Sequence, residues 1–116
     1  MKKLRNKVAL VTGGSRGIGK AIVYALAAEG ANVGVNCAKT KEKAEQVCED
    51  VRKKHGVKAI AIGADVSLPA EVQKMIDAMV KQFGTIDILV NNAGVAVRSK
   101  VVDTSMEEWH RMLDTD

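Results

Sequence analysis

The chain has 116 residues, the length of one domain with a modest core. It is 47% hydrophobic and 28% charged, which argues against disorder, and no stretch reaches the roughly 18 apolar residues of a membrane span. The net charge of +4 comes from interspersed charges: in KTKEKAEQVCEDVRKK, Lys and Arg alternate with Glu and Asp as on a solvated helix face. With only 3% aromatic residues there is no platform for stacked bases, so we expect neither a nucleic-acid nor a membrane partner.

The basic start MKKLRNKVALVTGG carries an apolar run, Val8–Val11, too short for a signal-peptide core, and a cytoplasmic protein is expected. Lys7–Thr12 (KVALVT) reads as a strand buried on both faces. GIGKAIVYALAAEG follows as a helix with Ile18, Ile22, Ala25, Leu26 and Glu29 at helical spacing and Gly30 as its stop. Asn32–Asn36 (NVGVN) is a second strand. Lys41–His55 is a second helix, with Ala44, Val47, Cys48 and Val51 on its inner face and Gly56 at its end.

Lys58–Gly63 (KAIAIG) is a third strand. Ser67 and Pro69 signal the start of a third helix, whose apolar stripe is Val72, Met75, Ile76, Met79, Val80 and Phe83 and whose stop is Gly84. Ile86–Asn91 (IDILVN) is the fourth strand. A loop is expected from Asn92 to about Asp103, then a helix opened by a Ser105–Glu108 capping box, with Trp109, Met112 and Leu113 beginning its apolar face. Cys37 and Cys48 form no CxxC and have no adjacent His, and His55 and His110 show no ligand spacing, so free thiols and no metal site are expected.

Strand and helix alternate without hairpin signals, which predicts a parallel sheet with right-handed crossovers. Such a sheet binds ligands outside the carboxyl ends of its strands. The unusual loops all lie there: Gly13–Gly19, Asn36–Lys39, Asp65 and Asn92–Gly94. In TGGSRGIG the glycines stand at 13, 14, 17 and 19. Gly13 permits a tight exit from the strand, Gly17 lets backbone N–H groups approach a pyrophosphate, and Gly19 lets the helix pack closely on the sheet. The helix N-terminus then offers free N–H groups to the anion. The end of a Walker A loop is missing, because Gly19 is followed by Lys20 and Ala21.

Where NAD sites place a carboxylate for the ribose 2′-OH, Val35-Asn36-Cys37-Ala38-Lys39 has none before Glu42. Arg16 and Lys39 stand nearby, two cations suited to a 2′-phosphate, so NADP(H) is expected over NAD(H). Asn36 and Lys39 count among the cofactor-binding candidates.

TGGSRGIG, Asp65-Val66 and Asn91-Asn92-Ala93-Gly94, in this order, resemble the short-chain dehydrogenase/reductase family over essentially the whole chain. The stretches VNCAK and EEWHRMLDT look most like its 3-oxoacyl-acyl-carrier-protein reductases. The resemblance implies a Rossmann-type α/β fold, a parallel sheet of strand order 3-2-1-4 with helices on both faces, forming the first half of a larger domain. It implies that Thr12 and Asn92 tie two loops together, and that Gly13, Ser15, Arg16, Gly17, Ile18 and Gly19 surround the cofactor's phosphates and adenosine ribose. Asp65, with Val66 beside it, would bind the adenine amino group, unless Asp65 only caps the following helix. Asn92, Ala93 and Gly94 would pass the ribose near the nicotinamide.

The family's chemistry uses a Tyr-x-x-x-Lys pair and a Ser to reduce a carbonyl or oxidise an alcohol. Here the one tyrosine, Tyr24, is followed four residues later by Ala28, so no catalytic residue is assigned. Asp116 aligns with a family Asn and is not counted as catalytic. In the strand order above, the fourth strand would be a bare edge, which its apolar run does not suit. Residues 1–116 are therefore expected to be the cofactor-binding portion of a longer reductase, inactive alone. The whole would act on a small-molecule or acyl-thioester carbonyl and form a homo-oligomer. The alternative is a non-catalytic nucleotide-binding or interaction module.

Overall fold

The computed structural model describes residues 3–15, 17–38, 41–91 and 94–97. In chain order these form β1 (Val8–Val11), α1 (Gly17–Ala28), β2 (Asn32–Cys37), α2 (Lys41–His55), β3 (Ala59–Gly63), α3 (Pro69–Phe83), β4 (Ile88–Asn91) and β5 (Gly94–Val97). The sheet order is β3-β2-β1-β4-β5, and the first four strands are parallel, as expected.

The side-chain period of two explains why β1 is apolar throughout. Ala9 and Val11 face α1 and α2 in one core, with Val23, Ala27, Val33, Val35, Val47, Cys48 and Val51. Val8 and Leu10 face α3 in a second core, with Val72, Met75, Ile76, Met79, Ile86 and Leu89. The inner faces of α2 and α3 are largely those the spacing predicts. Val80 is the exception on α3, standing exposed, while Phe83 packs only partly buried against the second core. Gly34 of β2 leaves room for Met79, because a Cβ there would overlap the Met79 Sδ and lie 2.8 Å from its Cε. Each helix ends at its expected glycine, with Gly30, Gly56 and Gly84 donating to the carbonyls of Ala27, Arg52 and Val80.

Three expectations change. On α1 the buried residues are Gly19, Val23 and Ala27, and Ile18 is 79% exposed. Close approach at Gly19 turns the small residues of the helix toward the sheet and the larger Ile18 outward. At α3, Ser67 does not cap: the N-cap is Leu68, without a side-chain bond, and Pro69 opens the first turn. Finally, part of the loop expected after β4 is a strand. β5 pairs antiparallel with β4, from Ile88↔Val97 to Asn91↔Gly94. It occupies the hydrogen-bonding side of β4 expected to be bare, so β4 is not the open edge predicted. The expected helix from Ser105 onward, with Trp109, His110 and Asp116, lies outside the described residues.

Both cysteines are free and buried. Burial pushes the Cys48 thiol up from its usual 9.0 to about 11, and that of Cys37 upward as well. A thiol whose folded pKa is raised contributes stability that is complete below pH 9 and is lost as pH climbs through 11. For Cys48 the loss is expected to reach roughly 2 kcal/mol at pH 11. Thermal melts between pH 8 and 11 on the wild type and Cys48→Ala check this; equal pH slopes would refute it.

Candidate nucleotide-binding edge

The parallel register brings the carboxyl ends of β1, β2, β3 and β4 to one side of the sheet. Beyond β1 the chain stays tied to β4: the Thr12 N–H donates to the Val90 carbonyl at 2.8 Å, and its Oγ1 reaches the same oxygen at 3.5 Å. Thr12 is thereby bonded to β4, while Asn92, its expected partner in tying the two loops, lies outside the described residues. The chain then turns at Gly13 toward β2. The Gly13 N–H donates to Asn36 Oδ1 at 3.2 Å and the Gly14 N–H to the Asn36 carbonyl at 3.0 Å.

Gly17, the first residue of α1, has φ +61, and a Cβ there would have nothing within 4 Å. Gly19 is the opposite case. A Cβ would overlap the Gly13 carbonyl oxygen and lie 2.9 Å from its carbon and 3.1 Å from Gly14 Cα. One glycine leaves space outside the protein; the other lets two backbones touch. Ile18 between them projects into solvent, where an apolar side chain gains nothing unless something covers it. The first turn of α1, whose N–H groups have no acceptor within the helix, therefore lies beside open space, a cradle suited to a pyrophosphate.

Ser15, half-buried, lines a cleft of about 250 Å³ between α1 and α2, with Lys20, Tyr24, Lys43 and Asp50. The Tyr24 hydroxyl donates to Asp50 Oδ2 at 2.7 Å, and Lys20 and Lys54 stand over its ring at 5.9 and 5.5 Å. The bond to Asp50 holds the phenol pKa up at about 12. That is the reverse of what an acid–base tyrosine near neutral pH needs.

Asp65 follows β3 and is exposed. Its Oδ1 accepts from the Ser67 N–H at 2.9 Å and from the Ser67 hydroxyl at 2.6 Å, and these bonds lower its pKa. It is an Asx-type turn rather than a cap of α3. The result is a fixed, ionised carboxylate at the same edge as the glycine loop, able to accept from an amino group. Val66 beside it is half-buried and packs against the α3 core. Gly94 opens β5 opposite Asn91, at the same edge.

Of the expected site residues, Gly13, Ser15, Gly17, Ile18, Gly19, Asn36, Asp65, Val66 and Gly94 are brought to this edge. Arg16, Lys39, Asn92 and Ala93 lie outside the described residues. The Asn36 side chain turns inward, bonding to protein rather than facing outward. One apolar strand position taken by a polar residue was the sequence signal for that role. Among the described residues no group of three or more His, Cys, Asp or Glu could hold a metal ion, and no helix is long and apolar enough to cross a membrane.

A family model for short chain dehydrogenase matches residues 7–116. The 3-oxoacyl-(acyl-carrier-protein) reductase FabG of Staphylococcus epidermidis is 49% identical over 96% of this chain and 45% of its own length. A short chain dehydrogenase from Burkholderia cenocepacia, solved in complex with NADP, superposes with a TM-score of 0.74 at 43% identity, covering 91% of this chain and 43% of that one. An NAD+-bound xylitol dehydrogenase superposes at 0.70 with 36% identity, over 76% of this chain and 33% of that one. The chain spans less than half the length of the curated relatives it matches. With the parallel sheet, the glycine loop packed through Gly19 and the shared edge, these matches show that the chain belongs to the short-chain dehydrogenase family.

Proposed function

We propose that residues 1–116 are the dinucleotide-binding portion of a short-chain dehydrogenase domain, and that it binds NADP(H) in preference to NAD(H). The observation that carries this reading is the first turn of α1: Gly17 faces open space while Gly19 seats the turn against Gly13. The N–H groups of that turn hold the pyrophosphate and Ile18 covers the adjacent ribose. Asp65 accepts from the adenine amino group, Arg16 and Lys39 pair with a 2′-phosphate, and Asn92, Ala93 and Gly94 run beside the nicotinamide ribose. The nicotinamide, when bound, supplies hydride transfer between an alcohol and a carbonyl. The 3-oxoacyl thioesters named for the staphylococcal relative are the substrate class proposed for the complete, homo-oligomeric enzyme.

Titration calorimetry with NADPH and NADH tests the cofactor assignment. NADPH is expected to bind at least about tenfold more tightly, and Arg16→Ala with Lys39→Ala to erase the difference, since charge-assisted bonds contribute roughly 1.5–3 kcal/mol each. Tighter binding of NADH would overturn it. The 116 residues alone are expected not to oxidise NADPH with a 3-oxoacyl substrate.

The sole tyrosine favours a second reading, a nucleotide-binding or interaction module without catalysis. Its hydroxyl is engaged by Asp50 and Ala28 stands where a lysine would be needed. A Ser and a Tyr-x-x-x-Lys pair encoded after Asp116 would decide for the enzyme.

A further inference from the structure

We propose that Asn36 is a positioning residue, locking the phosphate-binding loop and the Asp65 segment into one register so that both ends of an adenosine diphosphate group are held together. This rests on the dinucleotide reading above. β2 lies between β1 and β3 in the sheet, so a side chain at its carboxyl end can reach the loops leaving both neighbours. Asn36 does so while only 2% exposed. Its Oδ1 accepts from the Gly13 N–H at 3.2 Å; its Nδ2 donates to the carbonyls of Ile62 and Ala64, each at 3.2 Å. Its own carbonyl accepts from Gly14, and the Ala64 N–H donates to the Cys37 carbonyl beside it.

The three bonds of the Asn36 side chain lie outside the regular ladder. The chain leaves β1 at Gly13 with φ 62, so the amides of Gly13 and Gly14 lose their strand partners where a ligand must be met. Asn36 replaces both. Ala64 immediately precedes Asp65, so the amide group of Asn36 also fixes where the carboxylate starts. Of the short polar side chains, only a carboxamide offers an acceptor on one side and two N–H donors on the other. An aspartate would set an oxygen against two carbonyls, and an aliphatic residue would leave the part-buried Gly13 N–H without its acceptor and take a donor from the Ile62 and Ala64 carbonyls.

The test uses the full 116-residue chain with NADPH as probe, on the wild type, Asn36→Ser and Asn36→Thr. Both variants are small enough to admit water, and Thr suits a strand. Affinity is measured below the melting transition of each, where circular dichroism gives the folded signal. The expected result is a dissociation constant raised about tenfold or more, the consequence of a loosened buried donor. In native-state hydrogen exchange the Gly13 and Gly14 amides should lose protection while those of Ala9 to Val11 keep theirs. In the wild type, the Gly13 amide is expected to exchange only through global unfolding, a result that needs no variant.

A dissociation constant within twofold of wild type in a folded variant would overturn the positioning role, as would fast local exchange at Gly13 in the wild type. Both outcomes leave the dinucleotide reading intact if the wild type binds NADPH. Failure of the wild type to bind either dinucleotide would instead remove that reading.

Discussion

Gly19→Ala is expected to lower the melting temperature by about 10 °C, although alanine is the better helix former. Propensity alone favours the variant by roughly 1 kcal/mol. The new methyl, however, would sit on the Gly13 carbonyl oxygen and within 3.1 Å of Gly14 Cα. These are backbone atoms, themselves held by Asn36, so no rotamer change relieves the overlap. Overpacking of this kind costs about 1–3 kcal/mol when a side chain can yield, and more when it cannot. A net loss of about 2 kcal/mol corresponds to a shift of this size in a domain of about 100 residues. Thermal melting followed by circular dichroism reads it. An unchanged or raised melting temperature would mean that α1 does not rest on the glycine loop, and the cradle would lose its rigid floor.

The same contact explains where sequence reasoning about α1 went astray. Spacing of large apolar residues selects Ile18, Ile22, Ala25 and Leu26, because periodicity ranks side chains by hydrophobicity; Ile22 and Leu26 do pack partly buried against the first core, but Ile18 and Ala25 are exposed. The helix is instead oriented by its narrowest contact, so Gly19, Val23 and Ala27 face the sheet. On α2 and α3 the buried residues follow the apolar stripes at Ala44–Val47–Cys48–Val51 and Val72–Met75–Ile76–Met79. Parallel order was legible because β1 and β4 are too apolar to face water on either side. β5 was not: GVAV is four residues, and no Asn-Gly or Asp-Gly turn announces a hairpin.

At the candidate edge, the sequence shows which loops meet there but not which way their side chains point. Asn36 was visible as a polar residue in an apolar strand, yet nothing in the chain says that its amide faces Gly13 and Ala64 rather than a ligand. Asp65 and Ser67 both looked like caps for α3. In the folded chain Ser67 spends its hydroxyl on Asp65, which leaves α3 to start on Pro69 without a side-chain cap. That diversion weakens a helix end and fixes a carboxylate, a local cost incurred at the candidate binding edge.

Gly17 supplies the complementary test, because it separates folding from binding. Any L-residue at φ +61 is strained by roughly 1–2 kcal/mol, so Gly17→Val should melt about 5–10 °C lower than wild type. The Cβ itself meets nothing within 4 Å, so the added penalty is that of a β-branched side chain at positive φ. The branched side chain would stand in the open space beside the first-turn N–H groups, where the pyrophosphate is proposed to lie. The affinity for NADPH is then expected to fall by at least about 100-fold, the consequence of displacing charge-assisted bonds worth roughly 1.5–3 kcal/mol each. Gly17→Ala, with one methyl, should melt closer to wild type and lose less affinity, so affinity measured on the folded fraction of each grades the ligand effect. Calorimetric titration below the melting transition supplies the affinities. If Gly17→Val binds NADPH within threefold of wild type, the space over α1 is solvent and not ligand, and the phosphate must be held elsewhere on this edge.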